Sequence, residues 1–108
     1  MSYCTSNDVL ALVDTDMSAA EITDLISRTD VRINMALDEG SLSVLFLEDL
    51  SATWTALRVM LKDPNARGLG EYSERREITM KMLKDEIDEM MALASGGMSF
   101  TPAVEPLG

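Results

Sequence analysis

Apolar residues recur three and four positions apart along most of this chain, and that spacing predicts amphipathic helices. Four such segments stand out, at about residues 6–14, 17–40, 44–62 and 73–94. No run of alternating apolar and polar residues predicts a strand, and no hairpin turn signal separates such runs. The expected fold is therefore all-α: a small bundle of about four helices, one short and three longer, with an extended C-terminal tail.

The first two helices begin with capping residues. Thr5 stands three residues before Asp8, so its hydroxyl can accept a hydrogen bond from the first turn, where an acid is also favoured. Ser18 and Glu21 form a fuller capping box. At the far end of the second helix, Gly40 can adopt the left-handed conformation that ends a helix. One long helix is therefore expected over residues 17–40.

The boundary between the third and fourth helices is marked by proline, glycine and serine. Pro64 disfavours helical geometry at Asp63, so the third helix should end there. Residues 65–72 contain two glycines and are expected to form a loop. Ser73 is expected to cap the fourth helix.

Each long helix carries an apolar stripe that is expected to form the core, with polar residues on its outer face. On the second helix, the polar face is the expected place for a neighbouring subunit or a channel; it holds Thr23, Ser27, Asp30, Asn34 and Asp38. The predicted stripes are Ile22, Leu25, Ile26, Ile33, Ala36 and Leu37; Leu47, Leu50, Trp54, Leu57 and Leu61; and Leu83, Ile87, Met90 and Ala94, with Met80 and Met91 beside the last.

The composition excludes several classes of function. At 108 residues the chain is expected to be one domain. Nineteen acids against nine bases give a net charge of −10, which opposes tight binding to nucleic acid or to an anionic membrane. Cys4 is the only cysteine, so no intramolecular disulfide can form. No apolar run is long enough to predict a membrane span, and no signal peptide is expected.

The sequence contains only weak candidates for a catalytic or metal-binding site. The acids Asp14 and Asp16 invite a calcium-loop interpretation, but counting from Asp14 the required glycine and glutamate positions hold Ala19 and Leu25. The chain has no histidine to act as a base or a metal ligand. We therefore expect no enzyme activity, no cofactor, no metal and no small-molecule substrate.

Two groups of residues are candidates for contact with another protein. Met82 lies off the apolar stripe of the fourth helix, and thioether side chains suit adaptable binding surfaces. Arg67, Arg75 and Arg76 form the only local positive cluster in the sequence and could pair with an acidic neighbour, including another copy of this chain. Ordinary pairing within the chain is the alternative for these arginines; the nearby acids are Glu71, Glu74 and Glu77.

The C-terminal residues 98–108 contain two prolines and no periodicity. Such a tail cannot build a core of its own. It nevertheless carries Phe100, Val104 and Leu107, which are expected to order against a partner or a neighbouring subunit.

The N-terminal third of the sequence combines an opening of caps and apolar spacings with a longer helix that follows it: Tyr3, Cys4, Thr5, Asp8, Val9 and Leu12, then Ser18, Ile22, Leu25, Ile26, Arg32 and Ile33. In these residues the chain resembles the small head–tail connector proteins of tailed phages, also called head-completion or adaptor proteins. The layout of later helices, loop and tail is similar in kind.

The resemblance implies a structural virion protein at the head–tail interface, made in the host cytoplasm. Residues 1–97 would be the helical connector domain and residues 98–108 its tail. Copies would form a ring, commonly of twelve, between the capsid portal protein and the next neck or tail-completion protein. The ring would extend the DNA channel and support head completion and tail attachment. DNA would pass through without specific binding, and a negative wall would limit sticking.

A different class of protein is also compatible with these residues. The chain could be a free-standing acidic helical adaptor or regulator that binds one partner helix through an exposed groove of Met and Leu side chains. The two alternatives differ in the size of the assembly: a ring is very large, whereas a regulator is a monomer or a dimer.

Overall fold

The computed structural model describes residues 2–37, 42–73 and 75–94, apart from the side chain of Glu71. Within these residues the chain forms four helices, and the all-α prediction of one short and three long helices is confirmed. The helices are α1 (Ser6–Leu10), α2 (Ala19–Ala36), α3 (Val44–Lys62) and α4 (Arg76–Ala94). Two short strands, β1 (Val13–Asp14) and β2 (Arg67–Gly68), and a 3₁₀ turn at Gly70–Tyr72 complete the fold.

Both predicted N-terminal caps are present as capping boxes. The Asp8 carboxylate accepts from the Thr5 backbone N–H at 2.8 Å, while the Thr5 hydroxyl accepts from the Asp8 N–H. In the same way, Glu21 accepts from the Ser18 N–H at 3.0 Å and the Ser18 hydroxyl accepts from the Glu21 N–H at 3.2 Å. The hydrogen bonds from Ser18 lower the pKa of Glu21. Each box satisfies two N–H groups that a helix start would otherwise leave unpaired.

The first helix is shorter than the sequence predicts. It ends at Leu10, because Val13 and Asp14 leave the helix to pair antiparallel with Gly68 and Arg67. Leu12 extends this ladder, since its carbonyl accepts from the Leu69 N–H at 2.8 Å. A strand of two residues is too short to show alternation in sequence, which is why this pairing was not predicted.

The second helix also ends early. It stops at Ala36 rather than at Gly40, and Gly40 itself lies outside the described residues. Leu37 adopts an extended conformation, with φ −131° and ψ 154°, and is buried beside Ile33 and Leu47. The extended turn lets Leu37 reach the core, whereas Ala36, predicted as a core residue, is exposed.

The third helix has the predicted bounds, but the predicted N-cap of α4 is wrong. Asp63 is extended before Pro64, as predicted. The N-cap of α3 is Ser43, whose hydroxyl accepts from the Phe46 N–H at 3.1 Å. Ser73 does not cap α4: its hydroxyl donates to the Gly70 carbonyl at 2.7 Å, and α4 begins three residues later at Arg76.

The central element is α3, which packs against α2 on one side and α4 on the other and also contacts α1. The described side chains form two apolar clusters, and Leu57 packs against both. Residues of the predicted stripes of α2 and α4 are buried in these clusters. The buried residues on α3 are Leu47, Leu50, Ser51, Ala52, Thr53, Thr55, Ala56, Val59 and Met60. This helix is therefore buried around much of its circumference.

Leu61 was predicted in the core but is 64% exposed. At the C-terminal end of α3 the buried residues are Ala56, Val59 and Met60, which lie on a different side of the helix from Leu61. Trp54 and Leu57, at the middle of the stripe, are half-buried.

The two glycines of the β2 turn have different roles. At Gly68 the backbone passes so close to Tyr72 and Thr79 that an added Cβ would lie 2.0 Å from the Tyr72 carbonyl oxygen and 2.7 Å from Thr79 Cγ2. The Thr79 hydroxyl donates to that same carbonyl at 2.6 Å, so the site cannot easily open. Gly70 has a φ of +60° and nothing within 4 Å of an added Cβ.

Replacing each glycine by alanine should separate steric overlap from backbone strain. Gly68→Ala should lower the free energy of unfolding by about 2–3 kcal/mol or more, because the methyl group meets main chain. Gly70→Ala, the matched control, should cost only about 1 kcal/mol for the left-handed conformation. Urea unfolding would measure both variants. Equal losses would contradict the close approach at Gly68.

Candidate functional site

The N-terminal segment is attached to the helices by a buried polar network centred on Asp30. One Asp30 oxygen accepts from the Tyr3 backbone N–H at 2.9 Å and the other accepts from the Ser51 hydroxyl at 2.6 Å. The Ser51 oxygen also lies 3.2 Å from the Cys4 sulfur. These bonds join the opening residues, α2 and α3 at one point. A buried carboxylate with several hydrogen bonds is satisfied within the fold and is not available as an exposed contact.

This network corrects, at Asp30, the prediction that the polar face of α2 receives a neighbouring subunit or lines a channel. Asp30 is buried, and Asn34 accepts from the Tyr3 hydroxyl. Thr23 and Ser27 are exposed, and Asp38 lies outside the described residues. The N-terminal segment therefore contacts the middle of this face within the same chain.

Cys4 is buried in the same network. Burial raises the pKa of its thiol from 9.0 to about 11, although the hydrogen bond with Ser51 acts in the opposite direction. A thiol with a raised pKa remains protonated at neutral pH and is a poor nucleophile. Cys4 therefore acts as a small core residue.

Met82 is half-buried and packs against the core cluster that contains Leu83, so it is only partly the free surface residue that the sequence suggested. It also lines a shallow depression of about 340 Å³ whose other walls are Tyr72 and three acids. We call this surface the acidic pocket; it consists of Tyr72, Met82, Asp85, Glu86 and Glu89.

The three arginines of the predicted basic edge do not act together. Arg67 and Arg75 are exposed. Arg76 instead donates to the Met60 carbonyl and, at 2.8 Å, to the Ala66 carbonyl. Met60 O belongs to the last turn of α3, where carbonyls lack helical partners, so Arg76 stabilises the end of that helix. None of the three forms a salt bridge with another described residue.

The remaining predicted contact residues belong to the C-terminal tail. Phe100, Val104 and Leu107 lie outside the described residues.

A different basic surface lies between α2 and α3. Arg28, Val31, Arg32, Met35 and Arg58 line a shallow cavity of about 470 Å³. Arg58 also lines a second depression, of about 340 Å³, with Leu25, Leu61 and Lys62. We call this continuous surface the basic groove; its members are Arg28, Val31, Arg32, Met35, Arg58, Leu61 and Lys62. It holds four of the nine basic residues of a chain whose net charge is −10.

The charges of the basic groove are poorly neutralised. Arg28 pairs with Asp24 at 2.9 Å, as the four-residue spacing predicts, but both side chains are exposed. Arg32 and Arg58 form no salt bridge with other described residues. The Arg58 Nε is buried without a hydrogen-bond partner in this part of the chain. Burial, and then the positive charges of Arg32 and Arg28, lower the pKa of Arg58.

Apolar side chains are exposed between these charges. Met35 is 83% exposed and Val31 is 56% exposed. Exposed apolar residues that lie beside unpaired arginines are typical of protein-interaction surfaces rather than of catalytic pockets. The basic groove can bind a surface that offers carboxylates around an apolar centre.

The sequence contained a signal for this groove that was not used. Arg28 and Arg32 stand four apart on α2, and Arg58 and Lys62 stand four apart on α3, so each pair shares a helix face. Like charges at that spacing are unfavourable in an isolated helix. The meeting of the two pairs depends on how α2 packs on α3.

Among residues 2–37, 42–73 and 75–94, no group of three or more Cys, Asp or Glu side chains is placed to hold a metal ion. None of the described helices is long and apolar enough to cross a membrane. No known protein family, curated protein or solved structure matches the chain.

The raised pKa of Cys4 predicts a pH dependence of stability. The unfolded chain releases the thiol proton above about pH 9, whereas the folded chain retains it to about pH 11. The stabilisation is therefore fully present below pH 9 and is lost as the pH rises towards 11. Between these values the wild type should lose about 1–2 kcal/mol more than Cys4→Ser, which cannot titrate. Parallel urea unfolding curves at pH 8 and pH 10.5 measure this difference; equal losses would contradict it.

Arg58 and Arg76 should respond in opposite ways to replacement by methionine. Arg58→Met should raise the free energy of unfolding by up to about 1 kcal/mol, because it removes an unpaired buried donor and repulsion from Arg28 and Arg32. Arg76→Met, the control, should lower it by about 1–3 kcal/mol, because it leaves two carbonyls without a donor. Chemical unfolding of the two variants checks this, and a loss of stability in both would show that Arg58 is structural.

Proposed function

We propose that this chain is a structural subunit of the head–tail connector type. In that function it forms a ring between the capsid portal and the neck or tail, extends the DNA channel and catalyses no reaction. The observation that carries the proposal is the exposure of apolar side chains on α2 and α3: Val31, Met35, Val44, Leu45 and Leu61 are each more than half exposed. Such exposure on one chain is relieved when subunits or partners cover it.

The residues that carry the resemblance also have defined roles in the fold. Cys4 and Val9 lie in the core, and Thr5 caps α1. Ile22 and Ile33 are fully buried on α2. These positions therefore build the platform on which the exposed residues of α2 and α3 are presented.

The net charge of −10 also supports a channel function. A ring multiplies that charge around its opening, and a negative wall repels DNA phosphates. Repulsion at the wall favours passage over binding. The same charge makes assembly costly unless positive groups lie at the subunit contacts.

A second candidate is the free-standing adaptor that binds a single partner helix. The specific observation that favours it is the basic groove, where Val31, Met35 and Leu61 lie along the boundary of two helices. A groove between helices accepts an amphipathic helix through apolar anchors at helical spacing. The partner would need acidic residues beside those anchors.

The mass of the assembly separates the two candidates. The chain has a mass of 11.9 kDa. If a portal gene lies beside its gene, we expect light scattering with that portal protein to show many copies for each portal. Electron microscopy of that complex should show a ring with a central opening. A complex of one copy with one partner helix, together with the absence of portal and capsid genes nearby, would favour the adaptor.

Leu45→Asp tests whether the exposed apolar residues of α3 hold the assembly together. Leu45 lies in the first turn of α3, where an acid is favoured, so the fold should persist. The variant should fail to form the ring on the portal. Ser27→Asp, which adds the same charge at an exposed position of α2, is the control and should assemble normally. Normal assembly of both variants would remove the apolar surface of α3 from the proposal.

A further inference from the structure

The chain carries two surfaces of opposite charge, on two different helices that pack against its central helix. The basic groove lies where α2 meets α3, and the acidic pocket lies on α4 beside the 3₁₀ turn. The helix α3 packs extensively against both α2 and α4, whereas α2 and α4 make little direct contact with each other. The two surfaces therefore face different neighbours.

The acidic pocket offers carboxylates, which are the partners that the arginines of the basic groove lack. Glu86 accepts from the Tyr72 hydroxyl, which holds its carboxylate in place. Asp85 pairs with Lys81 at 2.7 Å, but both side chains are largely exposed. Glu89 is exposed and forms no salt bridge with other described residues. Half-buried Met82 supplies the apolar part of the surface.

The two surfaces are complementary in chemistry. One offers three guanidinium groups around Val31 and Met35, and the other offers three carboxylates around Met82. Arginine and carboxylate groups form paired, charge-assisted hydrogen bonds when they meet. A carboxylate that reached Arg58 would also neutralise a guanidinium that is partly desolvated and unpaired.

We propose that neighbouring copies of this chain associate head to tail, with the basic groove of one copy against the acidic pocket of the next. Because the two surfaces differ, each contact leaves one groove and one pocket free, and association continues until a rotation closes it into a ring. Only the closure into a ring rests on the proposed function. The pairing of the two surfaces rests on the residues of those surfaces.

A second copy is a better occupant than an unrelated acidic helix for two reasons. An unrelated helix would fill the basic groove but would leave the acidic pocket without a counterpart. In addition, copies of a chain with a charge of −10 repel one another in most orientations, so the orientation that brings four basic residues against acids is favoured. Charge thereby selects the head-to-tail arrangement.

Reciprocal charge reversal tests the pairing. Arg28→Glu/Arg32→Glu removes the net positive charge of the basic groove, and Asp85→Lys/Glu89→Lys makes the acidic pocket positive. All four residues are exposed, so the fold should persist. Sedimentation velocity over a range of concentrations at low salt should show that each variant alone self-associates about tenfold or more weakly than the wild type. An equal mixture of the two variants should associate again.

Matched controls carry the same charge changes elsewhere. Arg67→Glu/Arg75→Glu reverses two exposed arginines outside the basic groove. Glu48→Lys/Glu77→Lys reverses two exposed acids that belong to neither the basic groove nor the acidic pocket. Both controls should associate as the wild type does. Circular dichroism melting of every variant shows whether a loss of association is a loss of fold.

Three results would overturn the proposal. The first is a mixture of the reversed variants that associates no better than either alone. The second is a loss of association in Arg67→Glu/Arg75→Glu but not in Arg28→Glu/Arg32→Glu, which would assign the contact to the basic edge. The third is a wild-type protein that stays monomeric up to about 1 mM, because a dissociation constant above that value is too weak for a specific contact. The connector function is tested separately by the complex with the portal protein. If a ring forms on the portal with every charge-reversed variant, the connector function stands and the pairing of these two surfaces is wrong.

Discussion

The burial of α3 between α2 and α4 is the constraint on which the rest of this structure depends. A helix packed on several sides must be narrow, and the middle of α3 accordingly carries Ser51, Ala52 and Ala56 in buried positions. Small side chains let the flanking helices approach, but a buried hydroxyl needs a partner. Ser51 finds one in Asp30, whose other carboxylate oxygen accepts from the Tyr3 backbone N–H and so anchors the N-terminal segment. The packing of α3 thus also fixes where the N-terminal segment packs against the helices.

The same arrangement determines which faces remain available for contact. Because α2 and α4 lie on different flanks of α3, each presents its own outer face to the surroundings. On α2 this face combines arginines with exposed apolar residues, and on α4 it combines carboxylates with Met82. Two different surfaces on one small subunit suit an assembly that continues from copy to copy, whereas a single self-complementary surface would stop at a dimer.

The arginines show how similar residues acquire different roles. Arg76 is held by two backbone carbonyls at the end of α3, so its charge serves the fold. Arg58 has a buried Nε without a partner and lies beside two other arginines, an arrangement that costs stability. Natural proteins often retain such a cost where a residue is needed for binding. This contrast, rather than the number of basic residues, distinguishes the basic groove from the predicted basic edge.

The sequence by itself determined the class of the fold, the number and type of its helices, the caps at Thr5 and Ser18, and most of the core. These features depend on residues within a few positions of each other, where periodicity and capping act directly. The pairing of β1 with β2, the early end of α2 and the exposure of Leu61 depend on contacts between distant segments. The basic groove belongs to this second group. Its two halves are visible as separate pairs of like charges, but only the packing of α2 on α3 brings Arg32 and Arg58 together.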